Sequence, residues 1–147
     1  GKVIGINTFI YRDSELNRGS TGIGFAIPIK NAERIAKELR TTGEVDRRVF
    51  TGLYVQPLNK KVANYLSAPF VKGVVILDIA KSSPADKFGL EVGDIILTFN
   101  GADVNNPMDI RKILYENDIR AGDWVKLDIY RDGIQKRVKM KLGKFKP

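Results

Sequence analysis

From Arg47 onward the chain is cut into apolar runs of six or seven residues, each soon followed by a turn residue: "VFTGLYV" (49–55), "GVVILDI" (73–79), "DIILTF" (94–99) and "WVKLDIY" (124–130). Runs this short build short strands rather than long helices. Asn100-Gly101 and Asp132-Gly133 are the dipeptides that most favour two-residue hairpin turns. In "SSPADKFGL", Ser83 can cap a helix, Pro84 suits its first position and Gly89 its stop. Asn59 opens a second helix carrying Val62, Ala63 and Leu66. A third starts near Pro107, with Ile110, Ile113 and Leu114 along one side. "QKRVKMKL" alternates, placing Val138, Met140 and Leu142 on one face of a strand and Arg137, Lys139 and Lys141 on the other. Residues 47–143 therefore read as α+β, mainly β: five or six strands and two or three short helices in a small, partly open barrel. "GVVILDI" lacks strict alternation and is expected to be central.

The first part of the chain is of another kind. "GKVIGINTFI" contains a strand with Val3, Ile4 and Ile6 expected to be buried, and "IGFAIPI" a second strand ending near Pro28. Residues 11–22 are rich in turn residues and read as a loop. Asn31 is expected to cap a helix that carries Ala32, Ile35, Ala36 and Leu39 and stops at Gly43. Two strands and a helix cannot bury a core of their own. Residues 1–43 are thus expected to be the tail of a larger domain.

Composition narrows the chemistry. The 147 residues include neither cysteine nor histidine. These residues can therefore form no disulfide, no thiolate or imidazole metal site, and no Ser-His or Cys-His nucleophile pair. Asp13, Ser14 and Ser20 are loop residues without a base to activate either hydroxyl. No catalytic residue, metal or cofactor is assigned, and the expectation is that this chain alone is not an enzyme. The net charge of +8 comes from 25 basic residues interleaved with 17 acidic ones. That distribution is a solvated surface, and the reading is against nucleic acid. No apolar run reaches the roughly 18 residues of a membrane span.

"SSPADKFGLEVGDIILTFNG" (82–101) resembles the core of a circularly permuted bacterial PDZ domain. The matching positions are Ser83-Pro84-Ala85, Gly89-Leu90, Gly93-Asp94, Ile96 and Asn100-Gly101. "GKVIGINTFI" and "IGFAIPI" resemble the end of the trypsin-like protease domain of HtrA/Deg serine proteases. "DIRAGDWVKLDIYRDG" is similar to the closing hairpin of their PDZ domain. The resemblance implies a two-part chain: residues 1–43, a hairpin and helix left from a chymotrypsin-like barrel, and residues 47–143, one PDZ domain. It places the family's G-N-S-G-G nucleophile motif before Gly1 and makes the parent a homotrimeric serine endopeptidase of the bacterial periplasm or cell envelope. Thr51, where the family often has a bulky apolar residue, and Ala121, where proline is common, depart from its pattern.

The resemblance also gives a meaning to Gly52, which interrupts the first run. Glycine in a strand marks a bulge or a close backbone approach. Phe50, Thr51, Gly52 and Leu53 become a loop whose amides hold a peptide carboxylate. Leu53, Tyr54, Val55 and Gln56 become the strand on which the peptide adds by β-augmentation. Ile110, Ile113 and Leu114, with Phe50 and Leu53, become the pocket, and Arg47 and Arg48 steer the carboxylate. The implied partners are C-terminal or extended segments of unfolded or misfolded polypeptides, presented to or sensed for the chain's own protease domain in protein quality control. The alternatives are a piece with a structural or linker role and no ligand, or a weak nucleic-acid binder.

Overall fold

The computed structural model describes residues 1–11 and 23–145, so the 12–22 segment with Asp13, Ser14 and Ser20 lies outside the described residues. Contacts divide the chain into two units, Gly1–Asp46 and Arg47–Pro147.

In the first unit β1 (Gly5–Tyr11) pairs antiparallel with β2 (Ile23–Pro28), and α1 (Ile29–Thr42) follows at once. The helix begins two residues before Asn31, and Pro28 stands at its N-cap without a side-chain bond. Asn31 is therefore inside the first turn and not its cap. Proline presets φ for entry into the turn, and the Ile29 N–H at the head of the helix finds its partner in the Ile4 carbonyl, 3.0 Å away, instead of in a capping side chain. At the other end the Gly43 N–H donates to the Leu39 carbonyl, 3.1 Å away, as expected of a C-terminal glycine. None of the described residues of this unit is buried, and Val3, Ile4 and Ile6 stand exposed. The expectation of a buried strand fails because one hairpin and one helix give each other too little cover. Phe9 and Phe25 stack across the hairpin with ring centroids 4.6 Å apart.

The second unit is built on one open sheet. Its strands are β4 (Leu53–Pro57), β5 (Val74–Ile79), β6 (Ile95–Phe99), β7 (Ala102–Asp103), β8 (Trp124–Arg131) and β9 (Ile134–Lys141). Their order is β4-β5-β6-β8-β9, with β7 paired to β6. The sheet is not closed into a barrel; β4 and β9 form its edges. A separate two-residue ladder joins β3 (Val49–Phe50) to β10 (Gly143–Lys144). Short helices α2 (Lys60–Tyr65), α3 (Pro84–Lys87) and α4 (Pro107–Glu116) complete the unit.

The turns follow the residues that demand them. Asn100 and Gly101 have φ of 53° and 86°, and Asp132 and Gly133 have 49° and 81°. Two consecutive left-handed residues make the tight turn whose twist matches the flanking strands. β5 occupies an inner place, and the reason its sequence does not alternate is cover on both faces. Val74, Ile96 and Ile129 belong to the main core with Ile110 and Ile113 of α4, while Val75, Ile95 and Tyr130 pack with Ala63 of α2. On the edge strand β9, Met140 is buried, Val138 is half-buried and Arg137, Lys139 and Lys141 are exposed. Its neighbour in sequence, Leu142, is buried too. The register of β4 on β5 slips between Tyr54 and Val55, which face Asp78 and Ile76, so Leu77 is an extra residue that puts a bulge in β5 beside the other edge strand.

A buried ion pair ties the β8–β9 hairpin to the segment that precedes β6. Arg131 donates to both oxygens of the fully buried Asp94 carboxylate, at 2.6 and 2.7 Å. The same guanidinium reaches the Gly89 carbonyl (2.8 Å) and Glu91. Asp94 also accepts from the Glu91 N–H at 2.9 Å, so one carboxylate shapes the Gly93-Asp94 turn and anchors the hairpin. On the outer face, bonds from Arg137 and the Thr98 hydroxyl hold the Asp128 carboxyl below its usual range, outweighing partial desolvation. At the head of α4, backbone N–H bonds from Asn105 and Asn106 do the same for Asp109, the capping partner of Asn106.

Two outcomes are expected. Asp94→Ala leaves Arg131 without its partner and should cost about 3 kcal/mol in urea unfolding. Asp109 and Asp128 are more acidic folded than unfolded, so their stabilisation is complete above the unfolded value near 4 and is lost as pH falls through the depressed folded values. Melting temperature should therefore decline below about pH 4, and Asp128→Asn should flatten that acid limb in thermal melts.

Candidate functional site

Gly52 lies between β3 and β4 with φ of 79°, and it is buried. A Cβ built there would stand 2.1 Å from both Cβ and Oγ of Ser83. The close approach that its missing side chain permits is thus made by Ser83, the N-cap of α3, whose hydroxyl accepts from the Asp86 N–H at 3.3 Å. Ser83 is fully buried by this contact.

The backbone on either side of Gly52 is bonded in a consistent sense. The Ala85 N–H donates to the Thr51 carbonyl, and the Ala80 N–H to the Gly52 carbonyl, both at 2.9 Å. The peptide bonds are trans. In a planar trans unit the N–H points opposite to the C=O. The Gly52 and Leu53 N–H groups are therefore both turned away from α3 and β5. The Leu53 amide is lightly held by the Thr51 hydroxyl, 3.2 Å away.

β4 continues from this loop as an edge strand, with α4 packed beside it. Leu53, Val55 and Leu114 are half-buried against the core. Tyr54 is exposed and Gln56 half-buried. Ile110 and Ile113, expected in the pocket, are buried in the main core, leaving Leu114 as the accessible apolar residue of that face.

The Phe50 side chain does not reach this place. It lines a cleft with Pro84, Phe88 and Leu142, on the other side of β3. Val49, its neighbour, points the opposite way and lines a hollow with Leu114, Tyr115 and Ile119 of α4 and the turn after it. Residues adjacent in a strand face opposite sides, so Val49 and Phe50 could not both belong with Leu114, and the fold selects Val49. Arg111 and Tyr115 were missed as well, although they lie within one turn of Leu114 on the helix. Arg47, Arg111 and Arg120 surround this hollow with Asp118 among them. Arg47 bonds Asp118 at 3.3 Å and its guanidinium lies 5.4 Å from the Tyr115 ring centre. Arg120, buried, bonds the same carboxylate at 2.6 and 2.8 Å. Three guanidiniums and one carboxylate line the hollow. Arg48 is exposed and does not line it. Among the described residues no cluster of three or more acidic side chains could hold a metal ion, and no helix is long and apolar enough to cross a membrane.

The family model described as PDZ domain matches residues 41–142. A probable periplasmic serine endoprotease DegP-like protein of Ectopseudomonas mendocina is 32% identical over 143 residues, which is 97% of this chain and 29% of that protein. The serine protease Do-like HtrA of Bacillus subtilis is 34% identical over 149 residues, 97% of this chain and 32% of its own length. The chain thus spans about a third of the length of these curated relatives. Among solved structures, the HtrA-type protease AlgW with decapeptide matches all of this chain and 43% of its own, with TM-score 0.61 and 30% identity. The HtrA3 PDZ domain bound to a phage-derived ligand (FGRWV) matches 65% of this chain and 85% of its own, with TM-score 0.54 and 16% identity, a likeness of fold.

The contact between Gly52 and Ser83 is testable by itself. Gly52→Ala adds left-handed strain of about 1–2 kcal/mol and an overlap worth about 1–3. Pairing it with Ser83→Gly, which removes both atoms in the way, should recover more than about 1 kcal/mol in a double-mutant cycle. Additive losses in denaturant melts would mean the two residues do not constrain each other.

Proposed function

The chain belongs to the PDZ domain family, and on that premise we propose that its second unit captures polypeptide C-termini at the Thr51–Leu53 loop, with the ligand added as a strand along β4. One observation carries this reading: the inward bonds of the Thr51 and Gly52 carbonyls, which turn two successive N–H groups outward together. Adjacent amides aimed at one side form an anion-binding nest. The unpaired edge of β4 supplies main-chain bonds to the rest of the ligand. Leu53, Val55, Leu114 and Val49 offer apolar cover to its terminal side chain. Arg47, held in place by Asp118 and Tyr115, contributes field rather than a direct bond; Arg48 adds to that field.

The energetics favour a modest, reversible grip. A few net hydrogen bonds of about 0.5–1.5 kcal/mol each and one side chain of about 1.5–3 must offset the ordering of the peptide. Affinity no tighter than micromolar, about −8 kcal/mol, is the result.

The similarity to periplasmic and HtrA serine proteases supports a wider reading. In it, residues 1–43 are the closing piece of a protease barrel, and the domain at 47–143 presents or senses unfolded polypeptides for the protease of a periplasmic, homotrimeric parent.

Peptides ending in an apolar residue should bind with a free carboxylate and lose at least about tenfold in affinity when amidated, with amide shifts gathered at 50–55 and 108–116 in an NMR titration. Equal binding of the two forms defeats the carboxylate mechanism.

A further inference from the structure

We propose that the cleft on the Phe50 side of β3 is a second docking site, for an acidic polypeptide segment that carries an aromatic or large aliphatic anchor. The cleft has a volume of about 620 Å³, within the range of ligand-holding sites. Its floor is apolar: Phe50, Pro84, Phe88 and Leu142. Its rim holds Lys87, Lys141 and Lys144, all exposed, and its lining contains no acidic residue. An apolar floor asks for an apolar group, and three lysines, against one nearby carboxylate, Asp86, already bonded to the Ser82 N–H, select the sign of what surrounds that group.

The walls are fixed before any ligand arrives. Phe88 meets Trp124 edge to face at 5.3 Å, and Trp124 lies opposite Lys141 in the β8–β9 ladder. At Gly143 a Cβ would stand 3.0 Å from the Pro84 ring, so the absence of a side chain lets β10 close on α3. A flat bilayer surface or the phosphate exterior of a duplex would satisfy the lysines and leave the recessed floor uncovered. An extended acidic segment satisfies both. Because Val49 and Phe50 face opposite sides of one strand, this site is separate from the loop-and-α4 site and does not depend on it.

Trp124 is the single tryptophan of the chain and packs against Phe88, a residue of the cleft floor, so its fluorescence reports occupancy through that ring contact. The probe is an acetylated, amidated hexapeptide alternating glutamate and phenylalanine, titrated into the full chain. It has no free carboxyl terminus, so its binding does not test the carboxylate loop. The expected result is a saturable change in Trp124 emission, weakened about tenfold by the Lys141→Glu, Lys144→Glu pair and by about 0.5 M salt. Lys87→Ala, on another element, should weaken it in the same direction should the double variant fail to fold. Amide shifts should gather at 82–88 and 141–144. An unchanged affinity in the folded lysine variants, or shifts confined to 108–116, overturns the site. A larger Trp124 response to phosphatidylglycerol vesicles or to an oligonucleotide than to the peptide overturns the polypeptide assignment.

Discussion

The seating of Ser83 where a side chain at position 52 would stand is the contact on which the second unit's arrangement turns. It joins the cap of α3 to the β3–β4 loop and leaves no space between them. Two backbone bonds, from Ala80 and Ala85, run beside it and fix the direction of the intervening peptide planes. What the loop shows to solvent is decided by what it has buried behind it. A short helix of one turn would be a poor anchor alone, but here its N-cap, its first turn and the end of β5 are bound to the same two residues.

The sheet rests on a different kind of constraint. Its two tight turns are local and need only Asn-Gly and Asp-Gly, whereas the Asp94–Arg131 pair spans a sequence separation of 37 residues. A carboxylate with no exposure is costly to desolvate, and the cost is offset only because both its oxygens are bonded and the guanidinium has further acceptors at Gly89 and Glu91. Directionality is the gain: a bidentate pair admits one orientation of the hairpin against the turn, which apolar contact would not enforce.

Much of this was legible in the residues, and the exceptions have a common cause. The caps at Asn59 and Ser83, the helix start at Pro107, the two hairpin turns and the outward lysines of β9 follow from preferences within four residues of chain. The same is true of the α+β, mainly β class. Long-range facts were not legible. Asp94 and Arg131 look like any surface charges until the fold brings them together. Gly52 announces a close approach without naming Ser83. Strand alternation separates Phe50 from Val49, but which of them faces α4 is set by the pairing of β3 with β10. Asn31 looked like a cap because it is a good one, while Pro28 had already started the helix. Ile110 and Ile113 share an apolar stripe with Leu114, and only packing separates core from surface within it.

The bulge at Leu77 of β5, opposite Tyr54 and Val55, has a consequence for solubility. An edge strand of β4's kind is a template on which other chains can stack, and a long straight one invites runaway self-assembly. An extra residue in the neighbouring strand increases the local twist, so β4 does not lie on a flat ladder. The edge is also only five residues long and ends on Pro57, which has no N–H to offer, so a visiting segment finds a short, twisted template. The edge thus stays open to a short tail and closed to an endless neighbour.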